Sequence, residues 1–408
     1  MFLHFFSRAL FLALLILLVA CTAPWPPPST PSLPEITRPE PDTPETVAPP
    51  ALQPVGWDVL DGWASDAHDD ALQTFLVSCR PLRFRAVWQD VCARAREIAE
   101  GDRAAARLFF EQEFTPHRVV NPDRSTSGLI TGYYVPDLEG SRHRSPTYAY
   151  PLYRTPEDLL VIDLDEVYPE LDRMRLRGRI EGRRVVPYWQ RSEIDTPTAP
   201  LAGQELVWVN DPVERFFLHI QGSGRINLDD GTRILVNYDD QNGHPYRSIG
   251  KLLIERNIMT RDQMSMQNIR SWASKNPLAA QTLLAENPSY VFFRELDADF
   301  TSPPGALGVP LTARRSLAVD AHTIPLGAPV YLTATWPDRD APLQRLMVAQ
   351  DTGGAIKGAV RADFFWGIGD EAGFYAGRMK QPGRLWVLLP NALAATPAMA
   401  DEEEGEEK

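Results

Sequence analysis

The chain reads QDTGGAIKGAVRADFFWG from Gln350 to Gly367, which places two carboxylates, Asp351 and Asp363, twelve residues apart. Asp351 stands in a glycine-rich turn, whereas Asp363 is followed directly by three aromatic residues. Removal from water raises a carboxyl pKa, because it disfavours the charged form. A raised pKa is what a general acid needs at neutral pH. The stretch therefore predicts an acid catalyst at Asp363, with a pair of ordinary structural acids as the simpler interpretation.

The first residues have the pattern of an export signal. Arg8 precedes an apolar run, Ala9 to Ala20, that is short for a membrane span and fits the hydrophobic part of a secretory signal. The run ends in LVAC at residues 18–21, which is similar to the lipobox of bacterial lipoproteins. We therefore predict lipidation of Cys21. The next residue is Thr22 and not Asp, which by resemblance to such lipoproteins favours anchoring on the periplasmic side of the bacterial outer membrane.

Both ends of the chain differ in composition from its middle. Residues 22–56 hold twelve of the 37 prolines, which predicts a semi-rigid extended tether. The last eight residues include six acids and predict a disordered tail. Since these ends carry much of the formal net charge of −13, the remainder is only modestly acidic, and nothing indicates nucleic acid binding.

Cys79 and Cys92 are the two cysteines left after Cys21. An even pair in an exported protein favours a disulfide. Two buried thiols on neighbouring helices are the alternative.

The middle of the chain changes from helical to strand patterns. Residues 57–118 show apolar residues at three- and four-residue spacing, which predicts helices. From Gly128 short apolar runs predict strands, for example Leu129–Val135 and Phe216–Gln221. Strands and helices do not alternate over a long stretch, so we predict a mainly β fold with helices (α+β) rather than a parallel doubly wound sheet.

Sequence motifs indicate which kinds of catalytic site the chain could contain. The seven histidines form no His-Glu-x-x-His pattern, so a catalytic zinc is not predicted. Asp351-Thr352-Gly353 matches the motif of aspartic proteases, which use two carboxylates that share one proton. Because the motif occurs once, a protease of this kind would require a symmetric dimer. This alternative stays open.

Aromatic residues beside glycine or proline suggest glycan binding, because apolar sugar faces stack on rings while amides and hydroxyls bond sugar hydroxyls. Such segments occur around Tyr133, Tyr188 and Trp366. The predicted substrate-binding residues are Thr131, Gly132, Tyr133, Tyr134, Gln221, Ser223, Lys357 and Trp366.

Several motifs follow one another in order across residues 70–392. Besides the opening stretch, these motifs are TGYY at 131–134, HIQGSGRI at 219–226, NGHPYRSIG at 242–250, NPSYVFF at 287–293, SLAVD at 316–320 and GIGDEAG at 367–373. Together they resemble the membrane-bound lytic murein transglycosylase A family. The resemblance implies a double-ψ β-barrel domain with helices, into which a second, smaller β-barrel domain is inserted, with a substrate groove between them. The predicted segments are a signal peptide at 1–20, a lipidated cysteine and tether at 21–56, the catalytic domain at 57–140 and 296–395, the inserted domain at 141–295, and the acidic tail at 396–408.

The resemblance also implies the chemistry. It maps a three-aspartate module onto Asp320, Asp351 and Asp363, with Asp363 as the catalytic acid and the other two as supporting acids. The implied reaction is non-hydrolytic cleavage of peptidoglycan between MurNAc and GlcNAc, without cofactor or metal. Implied partners are the glycan strands, the outer membrane, and proteins of wall synthesis or division. A tethered glycan-binding module without catalysis is the non-enzymatic alternative.

Overall fold

The computed structural model describes residues 51–171, 174–196, 200–298 and 300–394. The predicted signal peptide, the lipidation site at Cys21, most of the tether and the acidic tail lie outside these residues. Within the described ranges, no helix combines the length and the apolar character needed to cross a membrane.

The helices lie mainly in two stretches of the chain, one before the first long strands and one near residues 249–285. They are α1 (His68–Leu82), α2 (Ala86–Ala95), α3 (Arg103–Glu113), α4 (Arg191–Ile194), α5 (Pro212–Gln221), α6 (Ile249–Glu255), α7 (Met266–Lys275), α8 (Pro277–Ala285), α9 (Asp370–Ala376) and α10 (Asn391–Ala394).

The strands occupy most of the remaining chain. They are β1 (Leu52–Pro54), β2 (Phe114–Val119), β3 (Gly128–Val135), β4 (Asp137–Ser141), β5 (Tyr150–Tyr153), β6 (Leu160–Val161), β7 (Arg177–Glu181), β8 (Arg184–Pro187), β9 (Glu205–Val209), β10 (Ser223–Leu228), β11 (Arg233–Gln241), β12 (Val291–Glu295), β13 (Ser316–Val319), β14 (Pro329–Thr335), β15 (Pro342–Asp351), β16 (Arg361–Ile368) and β17 (Lys380–Pro390).

The largest sheet has eight strands in the order β1-β2-β17-β14-β15-β13-β16-β3. Strand β17 also pairs with β3, so the pairings from β17 through β14, β15, β13, β16 and β3 return to β17. Apolar residues of these strands, among them Val330, Leu346, Val348 and Phe364, are fully buried in one core. This cyclic order brings the ends of β13, β15 and β16 together.

The strands from β4 to β12 belong to two other sheets. One has the order β12-β11-β10-β4-β9-β5, and the other is the three-stranded sheet β6-β7-β8. The chain therefore leaves the eight-stranded sheet after β3 and returns to it at β13. This is the connectivity of an insertion.

The strand expected at Phe216–Gln221 was a wrong prediction, because this segment belongs to helix α5. The carboxylate of Asp211 accepts hydrogen bonds from the backbone of Val213 and Glu214, and Pro212 occupies the first turn. An Asp cap followed by proline is a strong helix start. The apolar run was short enough to fit either kind of element.

Helices α1 to α3 pack against the eight-stranded sheet through aromatic residues. Phe75 of α1, Phe110 of α3 and Phe114 of β2 are almost fully buried, and the ring of Phe75 meets that of Phe114 edge to face at 5.8 Å. A disulfide joins Cys79 of α1 to Cys92 of α2, with the Cα atoms 5.6 Å apart. The predicted pair is therefore bonded in this structure.

Candidate active site

Strand β13 brings two of the three predicted acids to one place. Ala318 of β13 is the register partner of Asp351 on β15 and also of Asp363 on β16. Since neighbouring strands lie about 4.8 Å apart, the two acids are placed on either side of β13 with their Cα atoms about 10 Å apart. Asp320 follows the last residue of β13 directly. The sheet register thus assembles acids that are up to 43 residues apart in sequence.

Asp363 is partly buried and has one hydrogen-bond partner among the described residues. Its Oδ1 atom accepts a hydrogen bond of 2.7 Å from the Thr131 hydroxyl, and strands β3 and β16 place these two residues in register. Burial raises the pKa of Asp363, while the Thr131 hydroxyl and the charge of Arg361 act in the opposite direction. No described residue donates to Oδ2, which leaves this oxygen free.

Asp351 has both carboxylate oxygens occupied. Oδ1 accepts from the backbone nitrogens of Ala306 and Thr352, each at 2.9 Å, and Oδ2 accepts from the Tyr133 hydroxyl at 3.0 Å. Burial nevertheless raises the pKa of Asp351 to about 6, and the negative charge of Asp363 contributes to the rise. Asp351 and Asp363 are therefore coupled, and we call them the acid pair.

Asp320 differs from the acid pair. Burial alone would raise its pKa, but hydrogen bonds from the backbone of Gly358 and from His322, together with the charge of Lys357, lower it on balance. The Gly358 nitrogen donates to Oδ2 at 2.8 Å, and the His322 ring lies 2.8 Å from Oδ1. Asp320 is thus an ionised acid that ties the glycine-rich loop to the end of β13.

Two residues of the Thr-Gly-Tyr-Tyr motif contact the acid pair directly. Thr131 bonds Asp363 and Tyr133 bonds Asp351. The ring of Tyr133 also lies 5.0 Å from that of Phe365. Side chains alternate along a strand, so Thr131 and Tyr133 share one face of β3. The two-residue spacing of Thr131 and Tyr133 was visible in the sequence. It was the signal from which contact of both residues with the acids, and not only with substrate, could have been predicted.

Gly132 and Tyr134 lie on the opposite face of β3. A Cβ atom at Gly132 would lie 2.7 Å from Nε1 of Trp366, so glycine permits the close approach of that ring. Trp366 is 3% exposed and stacks on Tyr375 at 4.7 Å. Tyr134 is equally buried, and its hydroxyl accepts a hydrogen bond of 2.8 Å from Arg270. In this structure both rings pack in the interior.

The other predicted substrate-binding residues occupy different positions. The Gln221 side chain, at the end of α5, accepts a hydrogen bond of 3.0 Å from the backbone of Tyr134, and the Ser223 hydroxyl bonds Asn237. Gln221 thereby links the insertion to β3. Lys357 is exposed in the glycine-rich loop beside Asp320.

Sequence reasoning missed Arg361 and His322. Arg361 lies two residues before Asp363 on β16, and its charge opposes the rise in the pKa of that acid. Burial lowers the pKa of Arg361 itself. The two-residue spacing on a strand was the available signal for Arg361. His322 follows Asp320 at the same spacing.

Known proteins match this chain over both parts of the fold. A family model described as the MltA specific insert domain matches residues 129–294, and one described as the 3D domain matches residues 315–389. The membrane-bound lytic murein transglycosylase A of Vibrio cholerae is 31% identical over 284 residues, which cover 67% of this chain and 69% of that protein. The chain belongs to the membrane-bound lytic murein transglycosylase A family.

Further proteins of this family also match the chain in sequence and in structure. The Escherichia coli K12 protein of that name is 36% identical over 266 residues, and the match spans 64% of this chain and 65% of the relative. The crystal structure of MltA from Neisseria gonorrhoeae, in a monoclinic form, is 39% identical with a TM-score of 0.73, covering 84% of this chain and 97% of that one. The Agrobacterium tumefaciens structure is 32% identical with a TM-score of 0.76, covering 84% and 99%.

These comparisons confirm the predicted resemblance and the predicted fold class, a mixed fold with more than one sheet and with helices. A crystal structure of E. coli MltA contains bound chitohexaose; that chain is 30% identical with a TM-score of 0.61, and the match covers 83% of this chain and 91% of that one.

Proposed function

We propose that this chain is a peptidoglycan lytic transglycosylase, a lyase that cleaves the β-1,4 bond between MurNAc and GlcNAc and leaves 1,6-anhydroMurNAc ends. Asp363 is its single general acid and base. The observation that carries this assignment is the unequal hydrogen bonding of the acid pair. Oδ2 of Asp363 has no donor among the described residues, whereas three donors occupy the oxygens of Asp351.

The raised pKa of Asp363 supports its role as a proton donor. The protonated carboxyl gives its proton to the glycosidic oxygen, the bond from C1 of MurNAc to that oxygen breaks, and GlcNAc leaves with a new hydroxyl. The carboxylate then accepts the proton of the C6 hydroxyl of the same MurNAc while that oxygen bonds to C1. Asp363 ends the cycle protonated. Because the nucleophile is part of the substrate, its effective concentration is high and no water is needed.

Asp351 supports the site through its position next to Asp363, on the other side of β13. The charge of Asp363 contributes to the raised pKa of Asp351, whereas burial raises the pKa of Asp363. The backbone donors and Tyr133 hold Asp351 in place and occupy both of its oxygens, so it is less suited to give a proton to a substrate than an acid with a free oxygen. Asp320 has an indirect role, because it holds in place the loop that carries Lys357.

Family membership supports the proposed substrate class. A relative has been solved with bound chitohexaose, which supports a glycan strand as the ligand of this chain. Of the predicted substrate-binding residues, we assign direct contact to the exposed Lys357 and to Thr131 and Tyr133 beside the acid pair. Gln221 and Ser223 hold the insertion next to β3.

We also propose anchoring through lipidated Cys21 at the periplasmic face of the outer membrane. The LVAC pattern at residues 18–21 supports this, as does the term membrane-bound in the names of the relatives. Wall-synthesis or division proteins are the proposed protein partners.

Mass spectrometry of the soluble products from purified murein sacculi tests the reaction. We expect products that end in 1,6-anhydroMurNAc. Reducing MurNAc ends would indicate a hydrolase, and cut peptide stems would indicate a protease that uses Asp351. Binding to sacculi without released products would indicate a glycan-binding module. Each of these three outcomes would contradict the proposal.

A further inference from the structure

A cavity of about 310 Å³ lies at the other ends of β13 and β15 from the three aspartates, and Arg315 and Arg345 are among its lining residues. Arg315 directly precedes β13, and Arg345 lies six residues before Asp351 on β15. A strand advances about 3.3 Å per residue, so Arg345 is roughly 20 Å from Asp351. The cavity is therefore separate from the candidate active site.

Arg315 is built into the wall of this cavity. It is 4% exposed, and its Nη1 atom donates to Asp66 at 2.9 Å and to the Leu346 carbonyl at 2.8 Å. Its Nη2 atom donates to the Ala67 carbonyl at 2.9 Å and to Asp70 at 3.3 Å. Its Nε atom is buried and has no hydrogen-bond partner among the described residues. A buried N–H without a partner is costly, so a ligand or water that accepts from it would stabilise the site.

Two more guanidinium groups line the cavity without a paired carboxylate. Arg103 donates to the backbone carbonyls of Asp66, at 2.7 Å, and Ser65, so its charge is held in place but not neutralised. Arg345 is partly buried, and its side chain forms neither a hydrogen bond nor an ion pair with the described residues, although its backbone pairs within the sheet. Burial and the nearby charge of Arg315 lower the pKa of Arg345. Three guanidiniums thus face two carboxylates, those of Asp66 and Asp70.

We propose that this cavity binds a small oxyanion, either phosphate or a carboxylate group, with Arg345 as the main ligand-binding residue. The planar guanidinium fork matches the two oxygens of either group. Asp66 accepts from Arg315 and from two backbone nitrogens, so its charge is already compensated. The excess positive charge therefore resides on Arg103 and Arg345, beside the space that an anion would fill. This inference does not depend on the proposed catalytic activity.

Thermal unfolding of the full chain tests the proposal at pH 7 and constant ionic strength, with chloride as the reference anion. At an anion concentration ten times its Kd, we expect inorganic phosphate to raise the melting temperature by about 2 °C. A second series with acetate tests whether the cavity binds a carboxylate group. Phosphate also stabilises proteins without specific binding, because it is excluded from their surfaces. The comparison of variants is therefore the deciding measurement.

Arg345→Gln should abolish the anion-dependent rise, and Arg103→Gln should reduce it. Arg233→Gln is the matched control, since it removes an exposed arginine of the insertion without an ion pair among the described residues. It should keep the full rise. Arg345→Gln should melt in chloride at or above the wild-type temperature, because it removes an unpaired charge beside Arg315. An equal rise in Arg345→Gln and wild type, or no rise with either anion in wild type, would overturn the proposal.

Discussion

The Thr131 hydroxyl donates a hydrogen bond of 2.7 Å to Oδ1 of Asp363, and it is the one hydrogen bond that the described residues give to this carboxylate. The contact orients the acid while Oδ2 stays free. It also stabilises the charged form, which limits how far burial raises the pKa of Asp363. This hydroxyl therefore orients the proposed catalyst and opposes the effect of burial on its pKa.

The first prediction concerns Asp363 itself. Asp363→Asn should fold normally and lose about 10²–10⁴-fold of the murein-cleaving rate, because the amide cannot donate and recover a proton. Release of anhydro-muropeptides from sacculi measures the rate. Asp340→Asn, which removes an exposed acid, is the control and should keep wild-type activity. Near wild-type turnover by Asp363→Asn would refute the assignment.

The second prediction concerns Thr131. Thr131→Val keeps the shape of the side chain but removes the hydroxyl that favours ionised Asp363, so the pKa of Asp363 should rise. Since the proton-donating form is the active one, activity should persist to higher pH than in wild type. The pH profile of kcat/KM for murein cleavage measures this shift. Thr131→Ser keeps the donor and should retain the wild-type profile, whereas an unshifted profile in Thr131→Val would contradict the role of this hydrogen bond.

The third prediction concerns the effect of pH on stability. The folded-state pKa of Asp351 is raised to about 6, so ionisation of this buried acid destabilises the fold as the pH increases from about 4 to 6. Asp351→Asn should therefore be more stable than wild type at pH 8, by up to about 3 kcal/mol, with a difference that shrinks toward pH 4. Urea unfolding at a series of pH values measures both free energies.

Asp320→Asn is the matched variant with the opposite sign. The pKa of Asp320 is lowered, so its charge stabilises the folded state above the unfolded pKa of the carboxyl. This variant should be less stable than wild type at neutral pH, and the loss should disappear as the pH falls through the folded-state pKa of Asp320. If both substitutions changed the free energy of unfolding in the same direction at pH 8, the opposite pKa shifts of Asp351 and Asp320 would be contradicted.

The fourth prediction concerns the disulfide between Cys79 and Cys92, which are 13 residues apart. A cross-link of this length should stabilise the protein by about 3 kcal/mol, because it restricts the unfolded chain. Reduction should lower the urea midpoint accordingly. The Cys79→Ser/Cys92→Ser double variant should have the lower midpoint with or without reductant. An identical midpoint for the oxidised and reduced wild type would exclude this contribution.

Local sequence was informative where neighbouring residues decide the structure. The apolar spacing of residues 57–118 predicted helices, and α1, α2 and α3 are there. The run at Phe216–Gln221 was misread, because six apolar-rich residues fit a strand or a helix, and the deciding cap at Asp211 lies outside the run. Similarly, the aromatic residues after Asp363 suggested a glycan platform, but Trp366 is in the core against Tyr375.

The sequence by itself predicted the family and the fold class, which the comparisons confirm, and it singled out the three acids as site candidates, because these predictions depend on residue types in a fixed order. Only the tertiary structure decided how the acids differ. The free oxygen of Asp363, the three donors to Asp351 and the anchored charge of Asp320 come from strands β3, β13, β15 and β16 and from the loops around them. Burial and hydrogen bonding set a carboxyl pKa, and both depend on residues that are distant in sequence and adjacent only after the sheet has formed.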